Sequence, residues 1–212
     1  MQKLEDFDLV EKAFYLSTDV VDIARSLLGM YLYTSILGAP PCLAKIVETE
    51  AYRAPDDKGS HAYQNKKTKR TEVMFRTGGI SYIYLCYGIH EMFNVVTGPK
   101  DCAHAILIRA VEPVTGIEEI KKRRKKENLS DCCNGPGKLC AALGIDRSFN
   151  ASTLYDPASN IRIYRKNTPI INDIISSPRV GIAYAGESAN LPWRFRIESS
   201  PFTSKPDEVN YG

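Results

Sequence analysis

The sequence predicts a mixed α+β fold built around an antiparallel sheet, and three observations carry that expectation. Strand-like runs rich in β-branched and aromatic residues dominate the first half of the chain, separated by turn signals that read as hairpins. Helical patterns stand at 18–29 and again after residue 115. The 212 residues, 43% apolar and 25% charged, match one globular domain large enough to bury a core without metal or disulfide staples, with no internal repeat or low-complexity tract.

Thr18 and Asp19 precede Val20, Val21, Ile23, Ala24, Leu27 and Leu28 on one stripe, and Gly29 follows, so the segment predicts a capped amphipathic helix. Residues 31–35 and 43–52 read as two strands joined through Gly38-Ala39-Pro40-Pro41, a hairpin. Residues 53–80 hold charge, Gly and Pro without a steady period and predict a long functional loop with a short helix. Strand signals return over 81–86, reverse at Tyr87-Gly88, resume through Val96, and appear again over 103–111. Helices are expected over 115–127 and 137–143, strands over 160–165 and 193–198, and a loose tail after about residue 200.

The net charge of +3 is modest, yet cations cluster in Lys66-Lys67-Thr68-Lys69-Arg70 and in Lys121 through Lys126. Such patches can hold polyanions. The plainer reading of the second run is a solvated helix end, since Glu118 and Glu119 occupy the first turn and the cations follow, as the helix dipole prefers. Six cysteines without C-x-x-C spacing read as free, mostly buried thiols of a reducing compartment. His61, His90 and His104 share no ligand spacing with one another or with the cysteines, so no metal site is expected. Asn134-Gly135-Pro136-Gly137-Lys138 fails the P-loop pattern and reads as a turn into a helix N-terminus, which could still receive a phosphate. With no apolar run of membrane-spanning length and an acidic N-terminus, an intracellular, soluble protein is expected.

Chemistry concentrates on two segments. In an extended strand Glu48, Glu50 and Tyr52 share one face while Val47, Thr49 and Ala51 share the other. Unpaired acids on a core strand are costly, so this face is either wet or a catalytic floor. Tyr82 and Tyr84 share a second strand face, and Tyr87 at the reversal either packs on a neighbour or projects outward. An acid-bearing strand, an aromatic hairpin, a basic loop and Asn94 on the returning strand are the parts needed to hold an extruded nucleotide and hydrolyse it. Two rivals share these residues: a non-catalytic nucleic-acid-binding module, and a nucleoside or glycan hydrolase using Glu48 and Glu50, about 7 Å apart along the strand, as a carboxylate pair.

Taken in order, 24–29, 46–52, 82–88, 107–113, 135–140 and 179–181 closely resemble the alkyladenine (3-methyladenine) DNA glycosylase family over nearly the whole chain. The resemblance implies one glycosylase domain over 1–212, whose curved antiparallel sheet carries a protruding hairpin among surrounding helices. It implies a monofunctional enzyme that flips alkylated or damaged purines from double-stranded DNA and hydrolyses the N-glycosidic bond, as a monomer, without cofactor or membrane. Glu50 would be the general base and Arg109 would help position the water. Tyr52 and Tyr84 would sandwich the flipped base, His61 would read its edge, and Asn94 would obstruct the exocyclic amine of guanine. Tyr87 would wedge into the duplex, while Lys66, Thr68 and Arg70 would touch phosphates. Ile89 and His90 depart from the family pattern at the hairpin tip. In a bacterium such a protein would work in the cytoplasm, at the nucleoid.

Overall fold

A computed structural model describes residues 4–166 and 173–204. Its strands are β1 (Asp8–Leu9), β2 (Tyr31–Thr34), β3 (Cys42–Tyr52), β4 (Ile80–Cys86), β5 (His90–Thr97), β6 (His104–Thr115), β7 (Ile161–Arg165), β8 (Ile174–Ser177) and β9 (Arg194–Ile197). The helices are α1 (Val20–Ser26), α2 (Ile117–Arg124), α3 (Ser130–Cys133) and α4 (Pro136–Leu143). The strands form one curled antiparallel sheet in the order β1-β7-β2-β3-β6-β5-β4, with β9 added to β3 and β8 outside β9.

β3 organises the sheet. One edge pairs with β6 along almost its whole length, and the other takes β2 at 42–45 and β9 at 48–50. Three register shifts break the β3–β6 ladder, one between Leu43 and Ala44 and two adjacent ones further along. Ile46 and Glu48 face the consecutive residues Val111 and Ala110, which leaves Val47 over, and Glu48 and Thr49 face Ala110 and Ile108, which leaves Arg109 over. Bulges of this kind bend a sheet and re-aim side chains.

α1 begins where the sequence places it, with Asp19 as the cap: its carboxylate accepts from the Val21 and Asp22 amides at 3.1 and 2.9 Å. It packs on the sheet face of Val47, Thr49 and Ala51, where the Thr49 hydroxyl donates to the Ala24 carbonyl at 2.8 Å. α4 closes the same core over β5. The opposite face is covered by a smaller cluster, in which Val73, Met74 and Phe75 from the 53–80 loop meet Tyr82, Val96 and Ala105.

Several expectations need adjustment. The 53–80 loop holds two 3-10 turns, Tyr63–Asn65 and Glu72–Phe75, where one short helix was expected. β6 runs on to Thr115 and Gly116, at φ 74°, separates it from α2, so that helix is shorter than 115–127. α3, β1, β8 and the 3-10 segment Ala183–Asn190 carry too little periodicity to be read. The tail is tied down as far as Ser204, which is buried against Glu48, and 205–212 lie outside the described residues. Four of the six cysteines are buried, Cys86 and Cys102 are half-buried, and all six are free. Among the described residues no helix is long and apolar enough to cross a membrane.

Candidate active site

The antiparallel register lays one transverse row across the concave sheet: Tyr82 of β4, Asn94 of β5, Leu107 of β6, Glu50 of β3 and Arg194 of β9 are successive partners. Above this row opens a cavity of about 450 Å³. Tyr52, His61, Arg70, Tyr84, Tyr87, Asn94, Arg109, Val180, Gly181 and Tyr184 are among its walls.

Glu48 and Glu50 do share a face, as the strand period requires, yet neither is wet: both are wholly buried. Arg109 joins them, with Nε donating to Glu48 Oε1 at 2.9 Å and Nη1 lying 3.2 Å from Glu50 Oε1. Its place in the bulge lets one guanidinium reach two acids on a neighbouring strand. Burial works against the Arg109 charge, but Glu50 and Glu48 overcome it and hold the guanidinium firmly protonated.

The two acids differ in their remaining partners. Glu48 Oε1 also accepts from Arg194 Nε at 2.7 Å and the Ser204 hydroxyl at 2.8 Å, and its Oε2 accepts from the Ser204 amide at 2.6 Å. Burial alone would raise its pKa, but Arg109, Arg194 and Ser204 hold the carboxyl below the usual range. Glu50 Oε1 accepts from the Val180 amide at 2.8 Å, and Oε2 accepts from the Tyr52 hydroxyl at 2.8 Å. All three partners of Glu50 line the cavity, so this carboxylate lies directly beneath its floor.

The aromatic wall is cross-linked. His61 Nδ1 meets the Tyr82 hydroxyl at 2.9 Å, and its ring stands edge-on to Tyr84 with centroids 4.6 Å apart. Burial, then Arg70, lowers the His61 pKa from 6.5 to about 4, so the ring is neutral at pH 7. Arg70 Nη2 lies 3.2 Å from His61 Nε2, which makes that nitrogen the acceptor and Nδ1 the protonated one. Desolvation raises the phenol pKa values of Tyr52, Tyr82 and Tyr84, so all three stay protonated. Asn94 Nδ2 donates to the Tyr82 and Met92 carbonyls at 3.1 and 3.3 Å, leaving its carboxamide oxygen as its remaining polar group at the cavity wall.

Tyr87 projects from the hairpin tip at 88% exposure and does not pack on a neighbour. With φ of 50° and 74°, Tyr87 and Gly88 both adopt the left-handed region, as a tight primed turn demands. Ile89, 72% exposed, stands beside it, and Tyr184, 71% exposed, lies at the cavity wall. Lys66, Thr68 and Arg70 are all exposed, but Arg70 turns inward, with its guanidinium 4.6 Å from the Tyr84 ring centre. The second basic run lies at the end of α2, where Lys121 pairs with Glu127, and Lys122 and Arg123 pair with Glu119.

A family model described as methylpurine-DNA glycosylase matches residues 13–201. The chain belongs to that family. A protein of Chlamydia felis carrying the name "Putative 3-methyladenine DNA glycosylase" is 44% identical over 191 residues, 89% of this chain and 96% of its own length. Proteins of the same name from Chlamydia pneumoniae and Bacillus cereus are 44% and 43% identical, and the matches cover 95% of each. The protein is therefore a DNA glycosylase, a DNA-repair hydrolase whose substrate is DNA.

Sequence reasoning found most of the pocket but gave no role to Val180, Tyr184, Asp57, Arg194 or Ser204. Arg179-Val180-Gly181 stands out only through the family resemblance. Nothing in the residues around them signals that Asp57 pairs with Arg179, that Tyr184 reaches the cavity wall or that Ser204 closes on Glu48 of β3.

Proposed function

We propose that this glycosylase draws an alkylated or otherwise damaged purine out of duplex DNA into the 450 Å³ cavity and hydrolyses its N-glycosidic bond, with Glu50 as general base. The observation that carries this reading is the asymmetry of the two acids: Glu50 is the one whose three partners all line the cavity. It takes the proton of a water whose oxygen attacks C1′ of the deoxyribose, while the base leaves with the bonding electron pair. Arg109 and the Val180 amide fix the carboxylate in place for that step.

Base extrusion costs a few kcal/mol, and stacking returns about 1–3 kcal/mol per base, so Tyr52 and Tyr84 against the base and Tyr87 in the vacated stack offset it. The protruding, exposed Tyr87 supports the wedge role. His61 and Asn94 read the base edges, the second by setting its carboxamide against the exocyclic amine of guanine. Lys66 and Thr68 hold phosphates, and Arg70 joins them by swinging out from its inward place over Tyr84. The protein acts as a monomer, with 1–212 as one glycosylase domain.

Glu48 is too heavily engaged for a carboxylate-pair mechanism. An inverting pair needs one acid kept protonated, and Arg109, Arg194 and Ser204 favour the opposite state. Duplexes carrying single 3-methyladenine, 7-methylguanine, ethenoadenine or hypoxanthine lesions test the proposal. Release of free base with an intact backbone at the abasic site is the expected result, and no release from any of them would overturn it.

A further inference from the structure

Behind the cavity wall lies an ion pair that touches none of the cavity. Asp57 and Arg179 are wholly buried at their side chains, and neither lines the pocket. Arg179 Nη1 and Nη2 meet Asp57 Oδ2 and Oδ1 at 2.5 and 2.8 Å, a bidentate fork. The same guanidinium donates to the Ala51 carbonyl at 2.8 Å, between Glu50 and Tyr52 on β3, and to the Ser188 carbonyl at 2.9 Å. Its faces lie 4.7 Å from the Tyr52 ring centre and 5.2 Å from that of Trp193. One side chain thus ties together the 53–60 loop, the acid-bearing strand and the 183–190 segment.

Both ends of the pair lead to the chemistry. The residue after Arg179 is Val180, whose amide donates to Glu50 Oε1 at 2.8 Å. Asp57 Oδ1 also accepts from the Gly59 amide at 2.9 Å, two residues before His61. A Cβ on Gly59 would come within 3.1 Å of Asp57 Oδ1 and 3.2 Å of Arg179 Nη2, so a bare glycine is what lets this loop seat on the pair. We infer that Asp57 and Arg179 are a positioning pair for hydrolysis, holding the Val180 amide on Glu50 and the stacking ring of Tyr52 in register with it. The inference rests on the assignment of Glu50 as base.

A bidentate, stacked arginine cannot be replaced by lysine without loss, since an ammonium offers three donors from one point where this guanidinium makes four contacts from two nitrogens. Arg179→Lys keeps the buried charge paired but frees the Val180 amide to drift. Displacements of about 1 Å at a reacting group cost on the order of 10²-fold in rate. In single-turnover excision on a lesion duplex that the wild type cleaves, Arg179→Lys is expected to lose about that factor, with lesion Kd within about threefold and the reaction end-point complete.

The doubly neutral variant Asp57→Asn with Arg179→Met separates positioning from folding. Replacing a buried ion pair by neutral groups of similar size is often stability-neutral, so this variant is expected to keep its Tm and still excise slowly. If it regains both Tm and rate, or if Arg179→Lys excises at the wild-type rate, the pair only holds the fold and the inference is wrong. A rate loss in Arg179→Lys matched by equal loss of Kd and end-point would overturn it in the same way. Glu50→Gln serves as the control: should it remain active, the assignment of the base fails, whatever the pair does.

Discussion

Two carboxylates two residues apart on β3 sit in corners of opposite character. The Glu48 corner is closed by β9 and the chain near 204, and donors come at its carboxylate from Arg109, Arg194 and Ser204. The Glu50 corner is also buried, but its partners Tyr52, Arg109 and Val180 all line an open cavity. Both acids are buried and both touch the same arginine, so burial and pairing alone do not mark the reactive one. What separates them is whether the partners lead to solvent-accessible space. A perturbed, paired carboxylate is as much a structural device as a catalytic one.

The sharpest way to break the comparison is to neutralise each acid. Glu50→Gln is expected to lower single-turnover excision by about 10² to 10⁴, with lesion binding kept, because the amide preserves shape but cannot take a proton. Glu48→Gln is expected to act first on stability, since it leaves two buried arginines under-compensated at a cost of about 3 kcal/mol. For a chain of this size that is roughly 6 to 12 °C in Tm. Excision by Glu50→Gln above a tenth of wild type would exchange the two roles.

A smaller effect is expected at the mouth of the open corner. Tyr87→Ala should impair excision strongly for a stably paired lesion and much less for the same lesion opposite a mismatch, where extrusion is cheaper. Its exposure means Tm should not change. Equal losses on both substrates at unchanged Tm would remove the wedge.

Salt dependence gives a gentler test of which surface faces DNA. Neutralising Lys66 should lower the slope of log K against log salt by about one, whereas neutralising Lys122 on α2 should leave it unchanged. Equal slopes for both variants and the wild type would return the 66–70 run to solvated surface.

The least effect is expected from pH, where His61 of the aromatic wall and Glu48 titrate in succession. The fold keeps His61 neutral by lowering its pKa from 6.5 to about 4. The unfolded chain therefore binds the extra proton first, and the stability present above pH 6.5 is lost as pH falls through about 4. Glu48, held below its ordinary 4.5, withdraws stability only under that value. Tm measured from pH 7 to 3 should show both steps, and His61→Phe should shrink the upper one to the part contributed by His104, whose pKa burial also lowers; a profile indifferent to that substitution would deny His61 its neutral burial.

Much of this molecule is local and so legible in its residues. Period-2 alternation placed Glu48, Glu50 and Tyr52 on one face, the Tyr87-Gly88 reversal produced the hairpin, and Asp19 with its apolar stripe produced α1, because pleat, turn and cap depend on neighbours in the chain. The family and its DNA substrate were legible as well, because several ordered motifs at compatible spacings carry the resemblance. Short elements such as β8 and the 183–190 segment were not, because they are held by contacts with β9 and Arg179 rather than by their own periodicity.

The sequence by itself determined which side chains the sheet would present; tertiary structure decided what each one meets. A strand period cannot reveal that Val47 and Arg109 drop out of the ladder, yet those bulges bring one guanidinium to both acids. Nor can it say that Ser204 would close on Glu48, 156 residues away, while the Val180 amide and the cavity would fall to Glu50. Chain geometry repeats every two residues and is written locally. The reactivity of a buried carboxylate depends on donors and open space supplied from across the fold, which only packing assembles.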